Sequence, residues 1–248
     1  MTGIAASIVG LNGKLSGIPF DFAFLGGSVL ALLVNDPSVA AIRVTKDVDV
    51  IVDVRTRRDF HREERELEAR GFRHDTSEEA PICRWLADGV VVDVLPVREE
   101  VLGWRSQWFD QALQKAQIME IEGHRIKVVS APFFVALKLD AFEDRGKSDF
   151  ISSTDFEDVI CLFNGRRNVV DEILAETAVC DGIAEKFCTY LQKPDVEDAV
   201  WGFVQTESDS ENRFKAIMAA FRRLAAVAEA RHAADQPAIE NPKECSAS

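Results

Sequence analysis

The chain has 248 residues, of which 47% are hydrophobic and 29% charged, and it carries a formal net charge of −13. These proportions are those of a soluble globular protein with a sizeable core. The negative excess excludes a protein that grips nucleic acid over a broad surface, leaving room only for a local basic groove. Five cysteines and four histidines fall at no zinc-ligand spacing and form no CxxC, so they read as reduced structural thiols and surface histidines. The opening "MTGIAASIVGLNGKLSG" lacks the basic start and apolar block of a secretion signal. No apolar run reaches the ~18 residues of a membrane helix. A cytoplasmic protein without a membrane partner is expected.

In chain order, "FAFL" at 22–25 reads as a short strand broken by Gly26-Gly27. "SVLALLVND" then reads as a helix with Ser28 as its N-cap. "DVDVIVDV" alternates as a strand does. "RRDFHREERELEARG" is a charged helix stopped by Gly71. The seven arginines and His61 between Arg55 and Arg73 face five acids. They read as i,i+4 partners on a solvated helix, with an RNA-contacting edge as the sharper alternative. "PICRWLA", "GVVVDVLPV", "AQIMEIEG" and "HRIKVVS" read as further strands, with hairpin turns at Asp88-Gly89 and Gly123-His124.

After Ser130 the period changes to that of helices, through "APFFVALKLDAFED", "STDFEDVICLFNG", "NVVDEILAETA", "GIAEKFCTYLQ" and "ENRFKAIMAAFRRLAAVAEARH". The expected fold class is α/β (α+β): a mixed sheet flanked by helices over 1–130, a helical domain over 131–232, and a disordered tail over 233–248 with Pro237 and Pro242. The first part holds 16 basic and 20 acidic groups and the remainder 13 and 22, so the acid is concentrated in the helical half. Trp104 and Trp108 read as packing anchors.

Aspartates are disfavoured in strands, yet "AIRVTKDVDVIVDV" places three in one. Side chains two apart share a face, so Asp47, Asp49, Ile51 and Asp53 project one way and Val48, Val50, Val52 and Val54 the other. Solvated acids would explain the pattern. A second strand weakens that explanation, because Asp93 sits amid the apolar run of "GVVVDVLPV". If the strands are neighbours, three carboxylates converge and repel unless a cation neutralises them. Oxygen ligands of this kind suit Mg²⁺. "FLGGSVLALL" supplies what a phosphate needs beside it: Gly26 and Gly27 for close backbone approach and Ser28 at the start of a helix.

Together "GGS", "TKDVDV" and "VVVDVLP" resemble the signature of the polymerase-β-like nucleotidyltransferase superfamily. The long interval from Ser28 to Asp47 is similar to that of the AbiEii-type toxin nucleotidyltransferases. That resemblance implies a nucleotidyltransferase catalytic core over 1–130, completed by the helical domain, which moves a nucleoside monophosphate from an NTP to a hydroxyl. It further implies two Mg²⁺ ions, an RNA acceptor such as a tRNA end, a toxin or phage-defence setting, and an antitoxin protein as partner. Gly26, Gly27 and Ser28 would hold phosphate, Asp47, Asp49 and Asp93 the metal, and Asp93 would also activate the hydroxyl. "SAPFFVALKLDAFEDRGKSDFISSTDFEDVICLFNGR" resembles the family's later motifs. By that likeness Lys138 binds nucleotide phosphate, and Asp149, Asp155 or Asp158 fills the last motif. A small-molecule or protein acceptor, or an inactive nucleotide-binding module, are the other readings.

Helix geometry bears on the same residues. Phe134, Lys138 and Phe142 form one row, which leaves Lys138 poorly placed for solvation unless it snorkels. Asp155 lies in a T-x-x-E capping box opened by Thr154. Arg43 and Lys46 stand before the paired aspartates, where they can reach a triphosphate or offset the acid. Asp53 sits at the strand's solvated end.

Overall fold

The computed structural model describes residues 3–39, 43, 45–98, 101, 106–145 and 149–235. Three strands set its frame. β1 (Phe22–Leu25) runs antiparallel to β2 (Asp47–Val52), with Leu25 opposite Asp49. β5 (Val90–Pro96) lies on the other side of β2, parallel to it, with Asp49 opposite Asp93. β4 (Arg84–Ala87) pairs antiparallel with β5, and β3 (Arg73–His74) with β4. On the far side β7 (His124–Val128) runs parallel to β1 and carries β6 (Gln117–Ile121) antiparallel. The result is a seven-stranded mixed sheet in the order β3-β4-β5-β2-β1-β7-β6.

The alternation of β2 is realised as expected. Val48, Val50 and Val52 are buried, whereas Asp47 and Asp49 keep partial exposure on the opposite face. The first hairpin turns on Asp88-Gly89, both with positive φ. The second turns on Glu122-Gly123 (φ 53° and 78°) rather than on Gly123-His124, because His124 pairs with Ile121 inside the ladder.

Ten helices accompany the sheet among the described residues. α1 (Gly3–Leu15) was not anticipated from the sequence; it buries Ile8, Leu11 and Leu15 against α2 (Gly27–Leu33) and β7. α3 (Arg57–Ala69) is capped by Thr56 and ends before Gly71, as expected. Its Glu63 departs from the solvated-face reading, being only 2% exposed. α4 is the short segment Phe109–Gln114. His74 is also no free surface residue, since its ring lies 3.6 Å from that of Trp85.

Past Ser130 come α5 (Ala131–Asp144), α6 (Thr154–Gly165), α7 (Val169–Ala175), α8 (Thr177–Tyr190), α9 (Asp195–Val204) and α10 (Ser210–Asp235). α9 forms where the sequence showed chiefly acid. Asp195, Glu197 and Asp198 occupy its first turn, where negative charge complements the helix dipole, and Val196, Val200 and Val204 form its buried stripe. α10 runs through 235, so the first three residues of the expected tail are helical. The rest of that tail, with Cys245, and Trp104 lie outside the described residues.

Phe142, Phe150, Phe156 and Tyr190 pack with ring centroids 4.8–6.2 Å apart. Phe163, Phe187 and Phe221 continue the cluster. Such pairs add about 0.5–1.5 kcal/mol each beyond area burial, and the apolar core runs unbroken from sheet to helices. The end of α2 is fastened to the end of α6: the N–H groups of Asn35 and Asp36 donate to the Gly165 carbonyl at 2.9 and 3.0 Å. Cys83, Cys161, Cys180 and Cys188 are unpaired thiols. Among the described residues no helix is long and apolar enough to cross a membrane.

Candidate active site

The chain leaves β1 through Gly26 at φ 71°, ψ −167°, a backbone region that glycine alone enters readily. A Cβ built there would stand 1.8 Å from Oδ2 of Asp49, so the loop can lie against that carboxylate only without a side chain. Gly27 is equally confined, its hypothetical Cβ 2.5 Å from Thr45 Cγ2 and 3.4 Å from Asp158 Oδ2. Gly26, not Ser28, is the N-cap of α2. Ser28 is buried inside the first turn and its hydroxyl donates to the Leu25 carbonyl at 3.0 Å. Val29 N–H already donates to the Gly26 carbonyl at 3.3 Å, so what the loop can present to a phosphate is the backbone N–H of Gly27 and Ser28, which come before any acceptor within the helix.

On the sheet, register places Asp49 directly beside Asp93, with Asp47 one step along the same face. Burial drives the Asp49 carboxyl up to about 7. The charges of Asp47 and Asp93 push the same way, against the pull of Lys138 and Arg145. Asp93 is nearly buried, at 9% exposure. It is gripped by Arg84, whose Nε donates to Oδ1 at 2.8 Å and Nη2 to Oδ2 at 2.7 Å. The same Nη2 stands 3.6 Å from Asp47 Oδ2.

On the helical side Lys138 is 7% exposed, which rules out snorkelling. Its Nζ lies 2.6 Å from Asp158 Oδ2 and 3.0 Å from Asp155 Oδ1. Arg145 forks onto Asp155 at 2.8 and 3.0 Å, and Arg43 Nη2 approaches Asp158 at 3.5 Å. Burial opposes the charge on Lys138, yet Asp158 and Asp155 hold its pKa above the ordinary range. Burial also opposes the Asp155 carboxylate, but the Arg145 hydrogen bonds and Lys138 hold its pKa below. These groups form an alternating chain of charges that begins against Gly27 and ends beside the acid strand.

The structure thus brings together Gly26, Gly27, Asp47, Asp49, Asp93, Lys138, Asp155, Asp158 and Arg43. Both Asp155 and Asp158 belong to the cluster, whereas Asp149 is exposed and accepts from the N–H groups of Ile151 and Ser152. The capping box expected at Thr154 is not made, since Ser153 is the N-cap and Asp155 turns inward. Lys46 is exposed and forms no ion pair among the described residues. Asp53 is held by Arg55 at 2.5 Å, away from the triad.

Two cations were missed in the sequence. Arg84 was within reach of it: counting outward from the Asp88-Gly89 turn pairs Ala87 with Val90 and Arg84 with Asp93. Arg145 follows Lys138 by seven residues, two helical turns, and so shares its face. Both line a cavity of about 400 Å³ that opens on Asp49 and Asp93. Leu95, Phe109, Phe134 and Leu137 give it an apolar lining, to which Asp140 and Asp144 add two acids.

The oxygen donors suit a hard divalent cation, and the charge-driven rise at Asp49 is what such an ion would reverse. Among the described residues no three Asp, Glu, His or Cys side chains are gathered tightly enough to hold an ion as they stand. Of the expected triad, Asp93 is held by Arg84. Asp47 and Asp49 remain, and Mg²⁺ commonly takes one or two carboxylates together with substrate phosphates and water.

No protein-family model matches the sequence, and no curated protein does. Among solved structures, the chain is similar to an antigenic nucleotidyltransferase-like protein from Paracoccidioides brasiliensis, 19% identical over 86% of this chain and 92% of that one, with a TM-score of 0.47. It is also similar to the antibiotic-resistance factor ANT(2'')-Ia, 13% identical over 93% of this chain and 96% of that one, with a TM-score of 0.39.

Proposed function

We propose that the protein is a Mg²⁺-dependent nucleotidyltransferase that moves a nucleoside monophosphate from an NTP to a hydroxyl. The observation that carries this reading is the placement of Asp47, Asp49 and Asp93 on adjacent strands in register, against a glycine loop that excludes any side chain. Ionised, the three acids have a single cation, Arg84, within ion-pair reach among the described residues. They lack two positive charges, the charge of one divalent ion. Asp47 and Asp49 would hold that ion, which when bound neutralises phosphate oxygens and makes the acceptor hydroxyl more acidic. The loop from Gly26 to Ser28 supports the phosphates, and Lys138 and Arg145 lend a positive field from the cavity wall. The acceptor oxygen forms its bond to the α-phosphorus as the α–β phosphoanhydride bond breaks. Pyrophosphate leaves, and Asp93 accepts the hydroxyl proton and passes it to solvent.

The acceptor fits best as a small hydroxyl compound seated in the cavity, whose volume is typical of small-molecule sites. Its three cations are engaged by carboxylates, and exposed Asp144 adds a further acid to the lining, which disfavours a polyanion. The second reading, carried by the sequence motifs, is transfer to an RNA end in a toxin setting with a cognate antitoxin. Incubation with each α-labelled NTP and Mg²⁺, beside either total RNA or a panel of small hydroxyl compounds, separates them. Label in RNA supports the toxin, and label in a small product supports the cavity acceptor. NTP binding with no pyrophosphate release under any condition would reduce the protein to a nucleotide-binding module. Asp93→Ala is expected to retain Mg·NTP binding and lose turnover.

A further inference from the structure

Arg84 occupies the position from which a cation would serve both outer acids of the triad. β4 is held in register with β5 by the tight turn at Asp88-Gly89, which sets Arg84 directly across from Asp93. Its guanidinium makes a two-pronged contact with Asp93 and extends the same Nη2 towards Asp47. Bidentate guanidinium–carboxylate pairs are among the stronger protein hydrogen-bonded contacts and fix both partners geometrically. The side chain is 28% exposed, so part of the guanidinium borders the open cavity.

A divalent ion drawing on Asp93 must compete for oxygens that Arg84 already holds, and two cations sharing that space repel each other. Asp49, which has no ion-pair partner among the described residues, is the one acid an ion meets without displacing anything. Resting on the nucleotidyltransferase reading, we infer that Arg84 is a positioning residue that competes with the metal. It stabilises the triad without an ion, weakens binding of the free ion, and keeps Asp93 withdrawn until the guanidinium gives way. The opposite role is a clamp that aims Asp93 at the metal, and the two predict opposite signs.

The test is titration of the purified full chain with Mn²⁺ alone, following free ion by its electron paramagnetic resonance signal, for wild type, Arg84→Gln and Arg84→Lys. Competition predicts that Arg84→Gln, which removes a like charge beside the ion, binds about tenfold more tightly. Arg84→Lys, keeping the charge but not the fork, should fall between it and wild type. Should Arg84→Gln fail to fold, judged by circular dichroism, the Lys variant still decides, since tighter binding than wild type is required of it. Unchanged or weaker binding in folded variants overturns the inference and leaves the transferase reading standing. Absence of Mn²⁺ uptake by all three proteins, with and without NTP, overturns both.

Discussion

The site is built from two clusters of the same residue types, and they behave differently. On the helical side Arg43, Asp158, Lys138, Asp155 and Arg145 alternate in sign and sum to one positive charge. Asp155 and Lys138 are each pushed further towards their charged forms. On the strand side Asp47, Asp49 and Asp93 share one arginine and sum, when ionised, to two negative charges. There Asp49 is pushed towards its neutral form. Buried charge is tolerated where each ion is matched and hydrogen-bonded. The helical cluster meets that condition and reads as a strut; the strand cluster does not and reads as a site.

Substitution can break this contrast. Asp49→Asn should lower transfer by on the order of 10³-fold, as expected when a group acting on the developing charge is lost. It should leave the metal-free protein as stable as wild type or more so at pH 8. The sign follows from the raised pKa: between the ordinary 3.8 and about 7 the folded state keeps a proton that the unfolded chain has lost, so stability falls as pH rises through that window. Asparagine mimics the protonated acid and escapes the loss. Lys138→Met should do the reverse to stability, because it leaves buried Asp158 with only Arg43 at 3.5 Å and Asp155 with Arg145 alone; about 2–3 kcal/mol of unfolding free energy should disappear. Urea unfolding of both variants, with pyrophosphate release measured in parallel, tests the pair. A Lys138→Met protein as stable as wild type would remove the strut.

What could be read in the chain depended on whether the interaction was local. The alternation of β2 and the lone acid in β5 were visible because a strand's faces follow from residue parity alone. That Asp49 meets Asp93 was not, since parallel register is set by the intervening crossover and not by a turn. α1 went unread because Gly3, Gly10 and Gly13 make "GIAASIVGLNGKL" a poor helix by propensity; its buried stripe of Ile8, Leu11 and Leu15 outweighs that cost. Asp155 looked like a capping residue because the first turn of a helix is where such acids occur. Its partners are Lys138 on α5 and Arg145 just past the end of that helix, and only tertiary packing brings them there. Arg84 belongs with the local interactions, since the Asp88-Gly89 turn alone fixes the ladder that sets it opposite Asp93.

Glu63 takes the contrast to its limit, an acid with no ion-pair partner among the described residues. In a helix read as a solvated face it is buried, and its Oε1 has no hydrogen-bond partner among the described residues. Burial, reinforced by neighbouring Glu64, raises its pKa from 4.5 to about 8. Between those values the folded state holds a proton that the unfolded chain releases, so the protein loses stability as pH climbs from 4.5 to 8. Glu63→Gln keeps the shape of the protonated acid without the titration. It should match wild type near pH 4.5 and exceed it by about 4 kcal/mol at pH 8.5, since a rise from 4.5 to about 8 costs about 1.4 kcal/mol for each pH unit. Urea midpoints at pH 4.5, 6.5 and 8.5 measure the divergence. Parallel pH profiles would mean that Glu63 finds a partner in solution and titrates alike in both states, which would move it from the unmatched class to that of Asp155.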